Sequence, residues 1–439
     1  MRPTIFRLGA GEPLTGYVLG KAEVIRESLH NPDAASSAAL SAKLLAVKRR
    51  KVGRTILLAV PLLVFLALFF FLPIASILFY SVNAPEVFRV LPRTSAQLSS
   101  WNRTVLPEEA AYYALLTDLR EAYAKQTVAK AAARLNQEIS GFRHLVLRTA
   151  RRADKIDATA PKQSLIAFDA RWGDVSCWRA VAAASAPHTL RYVLAAVDLE
   201  ASSDGNIVPA PVEQRFYIQL LLRTLWISFV VTALCLACAY PLAYFLATVS
   251  GRWAGLLLIL VLLPFWTSVL VRTAAWIVLL QKEGLLNTAL LSLGIIAEPL
   301  ELIFNRLGVY IAMVYVLLPF MVLPLYSVMR SIKPDQLQAA ESLGATPVSA
   351  FLSVYLPQTA PGVAAGCLIV FIQAVGFYVT PALVGGRKDQ MISMVIANYA
   401  LDLANWNMAA ALSVVLLGCV ALLYPLCARF VSGGAMRLP

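Results

Sequence analysis

Charge is scarce in this chain. Only 14% of its 439 residues are Asp, Glu, Lys or Arg, while 59% are hydrophobic. An ordinary soluble domain carries about 25% charged and roughly 45–50% apolar residues, so the composition argues against a soluble enzyme of two or three domains. Histidine is scarcer still: His30, His144 and His188 leave a conventional zinc site little to work with, and no metal site is expected. The six cysteines make no framework. Cys235, Cys238, Cys367, Cys419 and Cys427 lie in apolar runs and only Cys177 in a polar stretch. Cys235 and Cys238 have Cys-x-x-Cys spacing but no second pair and no nearby histidine, so both read as packing residues. No apolar run precedes residue 55, so no cleavable signal peptide is expected.

What the chain has in abundance is apolar runs too long for a globular core; its mean hydropathy is +0.69. The net charge of +13 invites a nucleic-acid partner, but its distribution does not. Residues 1–54 hold 10 basic against 4 acidic residues, 81–217 hold 17 against 14, and the remainder 11 against 7. The densest cluster, Lys48, Arg49, Arg50, Lys51 and Arg54, abuts the first apolar run. That placement suits a membrane flank, and no nucleic-acid partner is expected.

A helix that crosses a bilayer needs about 20 mostly apolar residues. Six stretches qualify, at 55–80, 219–249, 254–280, 308–330, 361–384 and 408–431. Pro61, Pro73, Pro241, Pro264, Pro319 and Pro425 fall inside them, which membrane helices tolerate because neighbouring helices satisfy the freed carbonyls. The interrupted runs near 285–304 and 391–404 read as short helices at the membrane surface. The basic flank should stay in the cytoplasm, and six crossings return the C-terminus to the same side. The expected organisation is a cytoplasmic basic segment 1–54, a first transmembrane helix 55–80 and an outward insertion 81–217. A core at 218–432 follows, with a cytoplasmic loop at 331–360 and a tail at 433–439.

In the insertion, Leu106 to Ala153 has few Gly or Pro and reads as amphipathic helix. Leu115, Leu119, Tyr123 and Val128 are expected on one side, with Arg134 and Glu138 as a surface pair. No nucleophile or paired acid and base is visible there, so the insertion reads as a helical cap or docking surface, and no catalytic residue is expected.

The cytoplasmic loop carries the most local information. Pro334 suits a first helical position, and Asp335 complements the positive end of the dipole. Gly344 supplies a left-handed stop, Thr346 caps a second helix, and Pro347 begins it. Val348, Phe351, Leu352 and Tyr355 are spaced as one apolar face, and Pro357 is expected to end that helix before the fifth span. On periodicity alone, this is an amphipathic hairpin packed under its own helices.

The order of residues says more. Gln338-Ala339-Ala340, Gly344 three residues on, and Val354-Tyr355-Leu356-Pro357 after nine more resemble the cytoplasmic coupling loop of ABC importer permeases, whose pattern is Glu-Ala-Ala, three residues, Gly, nine residues, Ile-x-Leu-Pro. Here Gln replaces the opening acid and Val the Ile. An ion pair through the first position is therefore not implied, and Glu341 is the substitute acid on a different face. Pro264-Phe265-Trp266-Thr267-Ser268, Val271-Arg272-Thr273-Ala274-Ala275-Trp276 and Lys282-Glu283-Gly284-Leu285-Leu286-Asn287 resemble the third span and following loop of spermidine/putrescine-type permeases. Tyr240-Pro241-Leu242-Ala243-Tyr244 resembles part of their second span. The likeness covers about 219–432 and, loosely, the first span.

The resemblance implies an all-α membrane protein of the type I ABC importer permease fold, with six transmembrane helices and a long helical extracytoplasmic insertion. It implies a permease subunit of the bacterial inner membrane, with both termini cytoplasmic. Its partners would be a cytoplasmic ABC ATPase dimer, a second and homologous permease subunit, and a periplasmic solute-binding protein delivering polyamine or a related small organic solute. Gln338, Ala339, Ala340, Glu341, Gly344, Val354, Leu356 and Pro357 would seat on the ATPase. ATP and magnesium would be bound by that partner, with no cofactor in this chain. The nearest approach to a phosphate loop here, Gly16 to Ala22, is one residue short between its glycines and has Ala where a Ser or Thr is required.

Candidates for the translocation path are Arg272, the one charge well inside the third span, and the aromatic residues Trp266, Trp276 and Tyr378, whose faces suit an ammonium. Against each stands a plainer role as packing or interfacial residue. Asp402 and Trp406 stand just outside the sixth span, where a solvated turn is the plainer reading. The alternative function is a stand-alone secondary transporter, which normally displays acidic or histidine coupling residues near the midplane; these spans have essentially none.

Overall fold

A computed structural model describes residues 59–136, 138, 139, 141–201, 206–249 and 252–435. The basic segment 1–54, its lysine and arginine cluster and the Gly16–Ala22 segment lie outside the described residues, as do 436–439 of the tail. The chain divides into two units, residues 1–75 and 76–439. In its described part the first unit is apolar helix, the start of α1 (Ala59–Val82), and no residue in the most apolar window of α1 is buried. So many bare Phe and Leu side chains suit apolar surroundings, as in a bilayer.

In the second unit, the membrane part is built on three helices: α10 (Tyr217–Thr248), α14 (Arg306–Ser331) and α16 (Pro347–Gly376). Ile227, Val231 and Cys235 of α10 pack with Met313 and Met321 of α14 and with Val370 and Ala374 of α16. Lipid tails are as apolar as leucine, so close backbone approach rather than hydrophobicity selects such partners. Gly362 and Gly366 are the close points: a Cβ at Gly362 would stand 3.2 Å from the Pro324 carbonyl oxygen, and one at Gly366 2.6 Å from the Met321 sulfur and 3.3 Å from its carbonyl oxygen. A further long helix, α19 (Trp406–Ala435), runs past the expected end of the sixth span at 431.

The third span departs from expectation. It is a bent pair, α11 (Arg252–Leu262) continued by a 3₁₀ turn to Trp266, then α12 (Val269–Leu280) leading to α13 (Leu285–Ser292), with a 99° angle at the break. Pro264 cannot donate, and Thr267 and Ser268 take extended backbone angles. The Thr267 hydroxyl donates to the Pro264 carbonyl at 3.0 Å, closing the turn. Among the described residues five helices are long and apolar enough to cross a membrane, and this pair makes a sixth if read as one span. The fifth span also shifts. It starts at Pro347 inside the hairpin and stops at Gly376, before the short α17 (Val379–Val384), rather than occupying 361–384.

Between α1 and α10 lies a largely helical insertion: α2 (Glu86–Val90), α3 (Pro92–Ser99), α4 (Glu109–Ala124), α5 (Val128–Asn136), α6 (Phe142–Arg152), α7 (Pro161–Phe168), α8 (Val175–Ser185) and α9 (Arg191–Ala195). One antiparallel hairpin, β1 (Leu199–Ala201) with β2 (Ile207–Pro209), pairs Glu200 with Val208. The core gathers Tyr112, Phe142, Trp172 and Trp178 with leucines from several helices. The Trp172 carbonyl accepts from both the Tyr112 hydroxyl (2.8 Å) and the Trp178 indole (2.9 Å), and burial pushes the Tyr112 phenol up to about 12. Buried Asp118 accepts from the Thr94 amide (2.8 Å) and hydroxyl (2.9 Å), yet desolvation still holds its carboxyl above the usual range.

Two expectations for the insertion are corrected. The stretch 106–153 is three helices rather than one, interrupted at Gln126 and Gly141, both with positive φ. Leu115, Leu119 and Val128 are buried, but Tyr123 is 47% exposed because its helix ends one residue later. Arg134 and Glu138 form a buried pair rather than a surface one, with side chains 4% and 5% exposed, because Arg191 reaches back to the same carboxylate.

The insertion is tied to the ends of the spans. The Asp198 carboxylate accepts from the first amides of α10, Phe216 at 3.2 Å, Tyr217 at 3.0 Å and Ile218 at 2.9 Å, where an anion complements the helix dipole. Asn407, at the start of α19, donates to the carbonyls of Tyr80 (2.9 Å) and Asn83 (2.7 Å).

Candidate functional site

The hairpin between α14 and α16 is assembled from local chemistry. Arg330, in the last turn of α14, donates to the Ala247 carbonyl at the end of α10 at 3.2 Å, so two spans finish together. The chain turns at Pro334 into α15 (Asp335–Ser342). Gly344 then takes φ +93°. Its amide donates to the Glu341 carbonyl at 2.9 Å and the Ala345 amide to the Ala340 carbonyl at 3.1 Å. This is a Schellman closure, which a side chain at Gly344 would strain by about 1–2 kcal/mol. The Thr346 hydroxyl accepts from the Ser349 amide at 3.3 Å and Pro347 opens α16.

Pro357 does not end this helix. Residues Phe351–Tyr355 form a π turn, and α-helix resumes at Leu356 with Pro357 in its first turn. The wide turn gives the proline ring room where an α turn would bring it against the carbonyl four residues back. The second arm of the hairpin and the fifth span are therefore one continuous helix.

The supposed single apolar face is divided. Phe351 and Tyr355 stack at 5.4 Å and turn inward. Tyr244 of α10 meets both edge-on, at 5.6 and 5.3 Å, and Tyr240 meets Phe351 at 6.5 Å. The Tyr240 hydroxyl lies 3.2 Å from that of Thr359. The other half faces out: Leu343 is 90%, Val348 69% and Leu352 55% exposed. Gln338, Ala339, Glu341 and Gly344 are exposed beside them, as are Leu356 and Pro357, while Ala340 and Val354 are half-buried. The tyrosine grip was missed at the level of sequence, although Tyr240 and Tyr244 have the i, i+4 spacing of one helix face.

The four path candidates sit in different local settings, although the Thr273 and Thr380 hydroxyls, 3.0 Å apart, bring α12 against α17. Trp266 stands 82% exposed at the bend. Arg272 sits in the first turn of α12, half-buried, its Nε without a hydrogen-bond partner among the described residues. Trp276 packs edge-on against Tyr315 at 5.4 Å. Tyr378 lies beyond the end of α16 and lines a separate cleft. Among the described residues no hydrogen bond or ring contact joins these four. Trp266 and Trp276 stand on opposite sides of the 99° break in the third span.

Long apolar helices around a capped, exposed hairpin have the build of a multi-pass membrane protein. Residues 239–431 match the family described as the binding-protein-dependent transport system inner membrane component. The spermidine/putrescine transport system permease protein PotB of Salmonella typhimurium is 39% identical over 211 residues, covering 47% of this chain and 74% of the relative. The inner membrane ABC transporter permease protein YdcU of Escherichia coli is 34% identical over 217 residues, covering 46% and 68%. A crystal structure of a bacterial alginate ABC transporter in complex with an alginate pentasaccharide-bound periplasmic protein aligns over 51% of this chain and 79% of that one, at TM-score 0.43 and 17% identity. The chain belongs to the binding-protein-dependent inner membrane permease family and is an all-α membrane protein of the type I permease fold. These relatives are transport permeases, not enzymes.

Proposed function

We propose that this chain is the permease subunit of an ATP-driven importer in a bacterial inner membrane, with the 334–357 hairpin seated on a separate ABC ATPase dimer that binds the ATP and magnesium. A second, homologous permease subunit completes the passage. A periplasmic solute-binding protein delivers the cargo, a polyamine such as spermidine or putrescine or a related small organic solute. The hairpin then faces the cytoplasm with both termini, and the insertion faces outward. No cofactor is assigned to this chain.

One observation carries the reading. A hairpin packed only under its own helices would bury its apolar residues, yet Leu343, Val348 and Leu352 stand 90%, 69% and 55% exposed on a segment held rigid from behind by Tyr240 and Tyr244. An exposed apolar patch on a stiff lever suits a docking surface for a moving partner. Movement of the ATPase pair would pass through the π turn into α16 and through the tyrosines into α10. The polyamine assignment is supported by the likeness to PotB, 39% identical over 211 residues.

The test is Gly344→Asp in membranes that hold the partner subunits. The variant inserts and is expected to abolish uptake, since an aspartate at φ +93° opens the angle between the two helices. Full uptake by that variant would overturn the lever.

A further inference from the structure

The α-helical part of α16, Leu356–Gly376, is 21 residues and rises about 31 Å, close to the hydrocarbon thickness of a bilayer. Residues 377–405 therefore lie at the opposite end of that span from the hairpin. A cleft of about 410 Å³ opens there, lined by Tyr378, Gln390, Met394, Asn398, Leu401 and Asp402 among others. Its floor is α18 (Ile392–Ala397) running into a π turn, Asn398–Asp402.

The lining has one carboxylate and no Lys or Arg. Asn398 Nδ2 donates to Asp402 Oδ2 at 2.9 Å, which orients the carboxylate, while Oδ1 accepts no hydrogen bond among the described residues. No ion pair neutralises Asp402 among the described residues. Arg306 is held by Asp389 at 2.9 Å, and Arg387 and Lys388, the basic residues of this loop, do not line the cleft. The remaining walls are an exposed phenol ring at Tyr378, a thioether at Met394 and an aliphatic side chain at Leu401. Asp402 and Asn398 are exposed, so water solvates the carboxylate until a cation takes its place, and Asp402 is the one charge in the lining for an anion to meet.

We infer that this cleft is an outer subsite for the ammonium end of an alkyl amine. Asp402 is the counter-charge, Asn398 its positioning residue, and Tyr378, Met394 and Leu401 the walls along the methylenes. The inference rests on the amine-importer reading above and deepens it by placing the negative charge that a cationic cargo needs. Within the third span the charged residue is Arg272, which would repel such a cargo; the attracting group stands on the loop after the fifth span. Tyr378 adds the face of a ring, which attracts ammonium groups.

The experiment uses the assembled importer in proteoliposomes, with spermidine-loaded binding protein outside and ATP within, and reads spermidine uptake at subsaturating cargo. Asp402→Asn is expected to lower uptake about fivefold, the loss of one partly exposed charge pair. Asp402→Lys is expected to abolish it, and Asp402→Glu to retain most of it. Size-exclusion of the assembled complex controls for folding. Uptake by Asp402→Asn equal to wild type overturns the subsite alone and leaves the importer reading standing. A wild-type complex that moves no amine but moves another solute overturns the amine reading and the subsite with it. Equal loss in Asp402→Glu and Asp402→Asn shows a steric role and also overturns the subsite.

Discussion

The ring of Phe351 in the hairpin and that of Tyr244 in α10 meet edge to face, 5.6 Å apart at 88°. The two residues are far apart in sequence and belong to two separate stretches that resemble importer permeases. Their contact joins the segment proposed to receive force to a helix that lines the bundle core. An edge-to-face pair is directional, adding about 0.5–1.5 kcal/mol beyond the area it buries, so it resists sliding as well as separation.

Truncation at this joint should disconnect the hairpin without unfolding the spans. Phe351→Ala is expected to cost about 2 kcal/mol, less than a fully buried phenylalanine because the ring is only half-buried. ATP hydrolysis by the assembled transporter should lose its response to loaded binding protein. A double-mutant cycle with Tyr244→Ala should show strong non-additivity. Additive losses in that cycle would mean that the two rings act independently.

The parts legible in the sequence are those set by neighbours along the chain. Gly344, Thr346 and Pro347 specify a stop, a cap and a start within four residues, and each occupies that position. The apolar runs mark the spans for the same reason. What was not legible depends on distant partners or on competition between local options. Arg134 and Glu138 read as a surface pair because Arg191, which closes over Glu138, lies more than fifty residues on. Pro357 reads as a terminator because a π turn before it leaves no mark in hydrophobic periodicity. The apolar run 254–280 conceals its 99° break because Thr267 and Ser268 are polar enough to bend but not to interrupt the hydropathy.

Gly366 should be intolerant of branching. A Cβ there would stand 2.6 Å from the sulfur of Met321, which is fully buried and has little room to retreat. Gly366→Val is expected to destabilise the packing of α14 and α16 by about 1–3 kcal/mol. The measurement is thermal unfolding of the purified chain in detergent. Met321→Ala in the same background should restore part of the loss, and no restoration would place the clash elsewhere.

Removal of Glu138 should be costly out of proportion to one ion pair. Arg134 is 4% exposed and would keep its charge facing the Tyr192 ring, 5.3 Å away, with that carboxylate gone. Breaking one side of a buried pair costs about 3–5 kcal/mol, and Glu138→Ala is expected at the lower end because Arg191 is 45% exposed and can turn to water. Hydrogen exchange of amides in α5 and α9 should accelerate together. Acceleration confined to α5 would show that Arg191 does not depend on Glu138.

Acid should weaken the insertion in part through Asp169. Arg171 donates to both carboxylate oxygens at 2.9 Å, and these hydrogen bonds hold the carboxyl below the usual range, with burial opposing them and the Arg171 amide and Arg148 assisting. An unfolded chain, with its aspartate near the ordinary value of about 3.9, takes up the proton first as pH falls. The stabilisation is therefore full above that value and is lost as pH falls through the depressed one. Asp169→Asn should cost about 1 kcal/mol at neutral pH, a modest figure because Arg171 is 44% exposed. The variant should also have a shallower fall in stability between about pH 5 and pH 3 than wild type. Hydrogen exchange across α6 and α7 at several pH values reads both effects. The same acid slope in variant and wild type would mean that Arg171 and Asp169 contribute nothing to the folded insertion.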